Sequence, residues 1–219
     1  MGLPILTTGD DVKAIVDYLR TKPTGATLAE SKAVVKKQVL DGRKLSAYQS
    51  WGVITREGDK LKLSTLGWEL ARKTKSEEDF FKEIVDSLVP YRSVLEWAYH
   101  QQLDTITNVD VAAHWHEHHP ESTGTDNENT IKDQAVCFFR LCEAAGLGSV
   151  TIGRKGQPTR LSIDRGSLKS YIESGPSAPP WRETVEEIEE PSTDVKEEKK
   201  EKTEVAEETP PPQEKKRKS

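Results

Sequence analysis

The chain has 219 residues, 34% of them hydrophobic and 32% charged, with 37 Asp+Glu against 32 Lys+Arg and a net charge of −5. That length holds one large or two small domains, and no stretch approaches the roughly 20 apolar residues a membrane helix requires. The acidic total argues against a protein that coats nucleic acid indiscriminately.

Charge is not spread evenly. Residues 1–75 carry 14 Lys+Arg and 8 Asp+Glu, residues 76–175 carry 9 and 16, and residues 176–219 carry 9 and 13, giving net charges of +6, −7 and −4. Only the first segment has a net charge that would draw it to a phosphate backbone.

In chain order, Asp10 or Asp11 is placed to cap a first helix through about Arg20, with Val12, Ile15, Val16 and Leu19 at helical spacing. Lys22-Pro23-Thr24-Gly25 ends it, and Thr27 opens a second helix through about Lys37 with apolar positions Leu28, Ala29, Ala33 and Val34 or Val35. Asp41 begins a third, carrying Leu45 and Tyr48 inward toward Trp51. Gly52 stops it, and alternation through Val53 and Thr55, with Leu61 and Leu63 returning around Gly58-Asp59, predicts a β-hairpin. Ser64 or Thr65 then caps a fourth helix.

The same order recurs. A long helix from about Ser76 to Gln101, kinked at Pro90, is followed by a helix over Asn108 to His118 and another over Asn127 to Ala145. In the last of these Ile131, Ala135, Phe138, Cys142 and Ala145 form an apolar stripe. Gly146 and Gly148 lead to a second hairpin, Val150 to Ile163. From Pro176 the chain turns charged and proline-containing, a composition that cannot bury enough surface to offset chain entropy, and residues 176–219 are read as a disordered tail. The fold class expected is therefore mainly α with small β-hairpins (α+β): two winged helix-turn-helix modules, basic over 1–75 and acidic with a basic wing over 76–175, and the tail.

Cys137 and Cys142 fall about 140° apart around one helix and cannot bridge each other, which suits a reducing, cytoplasmic setting. The N-terminus lacks the charged, apolar and cleavage regions of a secretory signal. His114 and His118 are i, i+4 neighbours, but Pro120 stands where a His-Glu-x-x-His motif starting at His116 would need its second histidine. No metal site, cofactor or catalytic residue is assigned.

Nucleic-acid contact is expected from three places. The third helix presents Arg43 and Lys44 beside the small residues Ser46, Ala47 and Ser50; Lys36 and Lys37 precede it. The first hairpin adds Arg56, Lys60 and Lys62, which could meet phosphates beside that helix. The second hairpin sets Arg154 and Lys155 between Gly153 and Gly156, with Arg160 close behind. The helix before that hairpin exposes Lys132, Val136, Arg140 and Glu143, a mixed face suited to the other module or a protein partner.

Leu28-Ala29-Glu30-Ser31-Lys32-Ala33, Leu40 through Ala47, Trp51-Gly52-Val53-Ile54, Leu63-Ser64-Thr65-Leu66-Gly67 and Phe138 through Gly148 resemble prokaryotic tandem winged-helix proteins grouped as families of unknown function. The likeness covers about residues 5–172 and implies the fold; such proteins supply DNA-binding, oligomerisation and docking domains alike. The expectation is a non-enzymatic regulator or accessory factor binding duplex DNA. The alternative is a protein-interaction adaptor, docking a partner through residues 76–175 or pairing with itself.

Overall fold

The structure is a computed structural model that describes residues 2–154 and 156–175. Lys155 and the tail assigned to residues 176–219 lie outside the described residues. The first half runs α1 (Gly9–Leu19), β1 (Ala26–Thr27), α2 (Leu28–Val34), α3 (Gly42–Ser50), β2 (Ile54–Glu57), β3 (Lys60–Leu63) and α4 (Thr65–Arg72). The second runs α5 (Glu77–Ser87), α6 (Val89–His100), β4 (Thr105–Thr107), α7 (Asn108–His118), α8 (Pro120–Thr123), α9 (Glu128–Ala144), β5 (Gly148–Thr151), β6 (Arg160–Ile163) and α10 (Arg165–Glu173). It is an α+β architecture with two three-stranded antiparallel sheets, ordered β1-β3-β2 and β4-β6-β5.

The order helix, strand, helix, helix, hairpin, helix occurs twice, the second time with α5 ahead of it and the short α8 inserted, and its local chemistry repeats as well. Thr27 and Thr107 each cap the helix that follows, accepting from the amide of Glu30 or Asp110 while that residue's carboxylate returns to the threonine amide. Gly52 and Gly146, at φ 67° and 69°, end α3 and α9 in the left-handed region where glycine carries no steric cost. The next residues, Val53 and Leu147, are fully buried, and their carbonyls accept from the amides of Ser64 and Asp164. Ser64 and Asp164 then cap α4 and α10.

Several boundaries differ from the sequence expectation, each for a physical reason. Thr8, not Asp10 or Asp11, caps α1; its hydroxyl accepts from the Asp11 amide at 3.2 Å and the Asp11 carboxylate answers to Thr8 N at 3.0 Å. Helix α2 stops at Val34, and Ala29, Ala33 and Val34 face solvent while Ser31 is buried, its hydroxyl donating to Thr27 O. The anticipated helix over Ser76 to Gln101 is two helices broken at Leu88, whose φ −117° and ψ 107° are extended. Pro90 lies in the first turn of α6, where its missing N–H is no loss; within one continuous helix it would delete a hydrogen bond. Strands β1 and β4, each too short to show alternation, and helices α8 and α10 were not anticipated.

The core is continuous across both halves. Helix α9 buries the expected stripe of Ile131, Ala135, Phe138, Cys142 and Ala145, and also Gln134, Cys137, Phe139 and Leu141. One side meets Trp115 and Tyr91, with Phe138 ring centroids 5.8 and 4.9 Å away. Another reaches the first half, where Gln134 Nε2 donates to Leu3 O at 3.1 Å and Cys137 Sγ donates to Thr7 O at 3.3 Å. Trp51, at the end of α3, lies beside the buried Tyr91 hydroxyl. Lys75 closes the joint between halves, 2.7 Å from Glu69 and 2.6 Å from the buried carboxylate of Glu83. Both cysteines are buried free thiols, and burial pushes Cys137 up to about 12, which leaves it unreactive.

Candidate nucleic-acid interface

The expected reading face of α3 is largely engaged within the protein. Lys44 Nζ sits 2.7 Å from Asp11 Oδ1, with side chains 15% and 14% exposed, so its charge is spent holding α3 to α1. Ala47, expected outward, is in the core next to Tyr48, while Leu45 is only half-buried. The helix is therefore rotated from the expected setting and turns Arg43 and Gln49 to solvent. Ser46 and Ser50 line a cleft of about 270 Å³ whose opposite walls are the segment from Gly2 to Ile5 and residues Thr123, Thr125 and Thr130. Arg43 borders this cleft and pairs with Asp41 at 3.1 Å. A helix so flanked presents Arg43 and Gln49 to solvent rather than a row of cations.

The first sheet aligns Thr27, Lys60 and Glu57 across its strands, with Thr55 opposite Lys62. Alternation puts Lys60, Lys62, Thr55 and Glu57 on the outer face and buries Ile54, Leu61 and Leu63 beneath. Lys62 pairs with Glu57, which also stands directly opposite Lys60, so a carboxylate offsets these cations. Arg56 is exposed and its Nε donates to Gly58 O at 3.1 Å. Lys36 and Lys37 are exposed in the link from α2 to α3, with no ion pair among the described residues.

The second sheet has the same register and a different surface. Thr107, Arg160 and Thr151 align across its strands, followed by Thr105, Ser162 and Ser149. Below them Ile106, Leu161 and Val150 face the core. Arg160 occupies the place of Lys60, and Thr151 that of Glu57, so no carboxylate stands opposite the cation. Arg154 and Arg160 are exposed and enter no ion pair among the described residues. The hairpin is tight at Gly153, where an added Cβ would lie 1.9 Å from Gln157 O. Lys155, expected at this tip, lies outside the described residues. The hydroxyl face was missed by sequence reasoning because β4 contributes one edge of it and spans three residues.

On α9 the expected mixed face is self-paired: Lys132 lies 2.6 Å from Glu128 and Arg140 2.9 Å from Glu143. That surface offers little free charge to a phosphate.

Two of the five histidines converge on a serine. Ser93 Oγ of α6 is 3.2 Å from His114 Nε2 and 2.8 Å from His119 Nε2, and it donates to Pro90 O at 3.1 Å. With both rings carrying their proton on Nε2, the hydroxyl accepts two hydrogen bonds and donates one, so every partner is satisfied. His114 also stacks on Trp97 at 5.2 Å and stands 4.7 Å from His118. Among the described residues no group of three His, Cys, Asp or Glu side chains is arranged to hold a metal ion. The cluster ties the C-terminal end of α7 to α6.

Burial, then the neighbouring rings of His118 and His119, lowers the pKa of His114 below 6.5; Glu117 opposes weakly. Burial and His118 lower that of His119. A group lowered on folding binds its proton more readily when unfolded, so its folded form loses stability as pH falls below about 6.5 and stops losing it beneath the folded pKa. Thermal midpoints measured from pH 7.5 to 5 are expected to fall through this window. In His114→Gln/His119→Gln the fall should be shallower; an unchanged slope would remove the cluster from that role.

Among the described residues no helix is long and apolar enough to cross a membrane. No known protein family, curated protein or solved structure matches the chain.

Proposed function

We propose that this protein is a non-catalytic tandem winged-helix protein that binds duplex DNA, acting as a regulator or accessory factor. The reading rests on one observation above others: a helix, strand, helix, helix, hairpin, helix unit recurs, with the short α8 added in the second copy, its sheet has the same strand order both times, and each hairpin carries exposed cations. Arg56 and Lys60 serve the first hairpin and Arg154 and Arg160 the second. Phosphate contacts of this kind orient a protein on the duplex and draw their affinity from counterion release.

Fluorescence anisotropy of the full chain against a labelled duplex tests it. With about four phosphates neutralised, affinity should fall roughly a hundred-fold between about 50 and 200 mM salt. An absence of binding at the lower salt would exclude the reading.

A second reading, a protein-interaction adaptor, is favoured by the groove between α1 and the α2–α3 link. It encloses about 600 Å³ and is lined by Tyr18, Val35 and Val39, with Val34 73% exposed at its side. Failure to bind duplex combined with stable self-association in light scattering would favour it.

A further inference from the structure

The duplex contact falls chiefly on the second, acidic half. The geometry points to the outer face of the sheet β4-β6-β5, with its hairpin, as a platform for the phosphodiester backbone that engages DNA without reading its sequence. This rests on the duplex-binding reading above and assigns its main contact surface.

Three observations carry the assignment. The first is charge that remains available after pairing. Among the described residues the first half keeps Lys36, Lys37, Arg56 and Lys60 out of ion pairs, but on α3 Lys44 is consumed by Asp11 and Arg43 is held by Asp41, and on its sheet Glu57 takes Lys62 and stands opposite Lys60. Arg154 and Arg160 keep their guanidinium groups free of ion pairs among the described residues, and a planar guanidinium matches two phosphate oxygens at once.

The second is the surface around Arg160. Ser149, Thr151, Ser162 and Thr105 share its face, each with a hydroxyl able to donate to a phosphate oxygen. Thr107 does not join them, because its hydroxyl is engaged by Asp110 in the cap of α7. The equivalent face of the first sheet holds Glu57, whose charge would repel the same phosphate.

The third is what the face lacks. None of its residues is aromatic, so it offers no stacking platform for the splayed bases of a single strand. Both helices in the position of a reading helix are otherwise occupied: α3 borders the cleft with the N-terminal segment, and α9 is buried on several sides. Affinity therefore comes from backbone contacts, and such contacts carry no direct sequence information.

The test is anisotropy titration of the full chain with two duplexes of unrelated sequence and one single strand of equal length, over a salt series. Arg154→Ala/Arg160→Ala is compared with Lys36→Ala/Lys37→Ala/Arg56→Ala/Lys60→Ala; circular dichroism checks that both remain folded, as exposed positions should. The unsubstituted chain is expected to bind both duplexes within about three-fold of each other and the single strand more weakly. The arginine pair should cost at least about ten-fold and flatten the salt slope by about 2, one for each lost phosphate contact. The four-residue variant should cost less. Loss concentrated in the four-residue variant, strong preference for one duplex, or tighter single-strand binding overturns the assignment while leaving DNA binding intact. No duplex binding by the unsubstituted chain overturns the underlying function itself.

Discussion

Trp51→Ala is expected to destabilise both halves together, by about 3–5 kcal/mol, in one cooperative transition. Trp51 ends α3 in the first half and is 1% exposed. Its indole lies beside the Tyr91 hydroxyl of α6, and Tyr91 in turn packs 4.9 Å from Phe138 and 5.8 Å from Trp115. Deleting the indole removes contact area and leaves a void in the core next to Tyr91, whose packing against Phe138 and Trp115 limits its collapse into the space. Because those rings belong to the second half, the loss is shared across the joint at Lys75. Urea unfolding followed by far-ultraviolet circular dichroism and by tryptophan fluorescence should give coincident curves, both shifted by the substitution. Two separate transitions, only one of them shifted, would show that the halves unfold independently.

Arg92→Met is expected to cost about 3–5 kcal/mol, the range for breaking a buried pair by removing one partner. Arg92 Nη1 lies 2.7 Å from Asp86, whose side chain is only 5% exposed, and its Nε lies 2.7 Å from Glu96. The Tyr171 hydroxyl donates to the same aspartate, and the guanidinium stands 5.4 Å over the tyrosine ring. This group fastens α10 and the end of α5 to α6. Without the arginine the Asp86 charge stays buried with its main counter-charge gone. Asp86→Asn introduced alongside Arg92→Met should recover part of the loss, since no charge then remains to be solvated. A double-mutant cycle in urea measures the coupling; simple additivity of the two substitutions would count against this account.

Much of the fold is legible in the chain because its signals are local. The stripe Val12, Ile15, Val16 and Leu19 marks α1, and the stripe from Ile131 to Ala145 marks α9, since both repeat at the helical period. Asn108 to His118 is bounded by its cap and by Pro120, and the turn at Gly58-Asp59 marks the first hairpin. The misread side-chain orientations have a tertiary cause. A side chain that looks outward by spacing alone can be inward because another element covers it, as with Ala47, and apolar ones that look inward can face solvent, as with Ala29, Ala33 and Val34. Helix α9 has one visible apolar stripe, but Cys137 and Gln134 also bury against the N-terminal segment, more than 120 residues away in sequence.

The candidate interface was legible only as an inventory of cations. Composition and periodicity establish the repeat, the α+β class and the division of charge, because each depends on neighbours within a few residues. Which cations remain available is a tertiary matter: Asp11 reaches Lys44 across two helices, and the strand register sets Glu57 opposite Lys60 but Thr151 opposite Arg160. Coulomb interaction falls with distance in space, not along the chain. A basic segment can therefore tie up the cations of its helix and sheet face on folding, while an acidic one leaves Arg160, among the described residues, free of ion pairs on a face of hydroxyls.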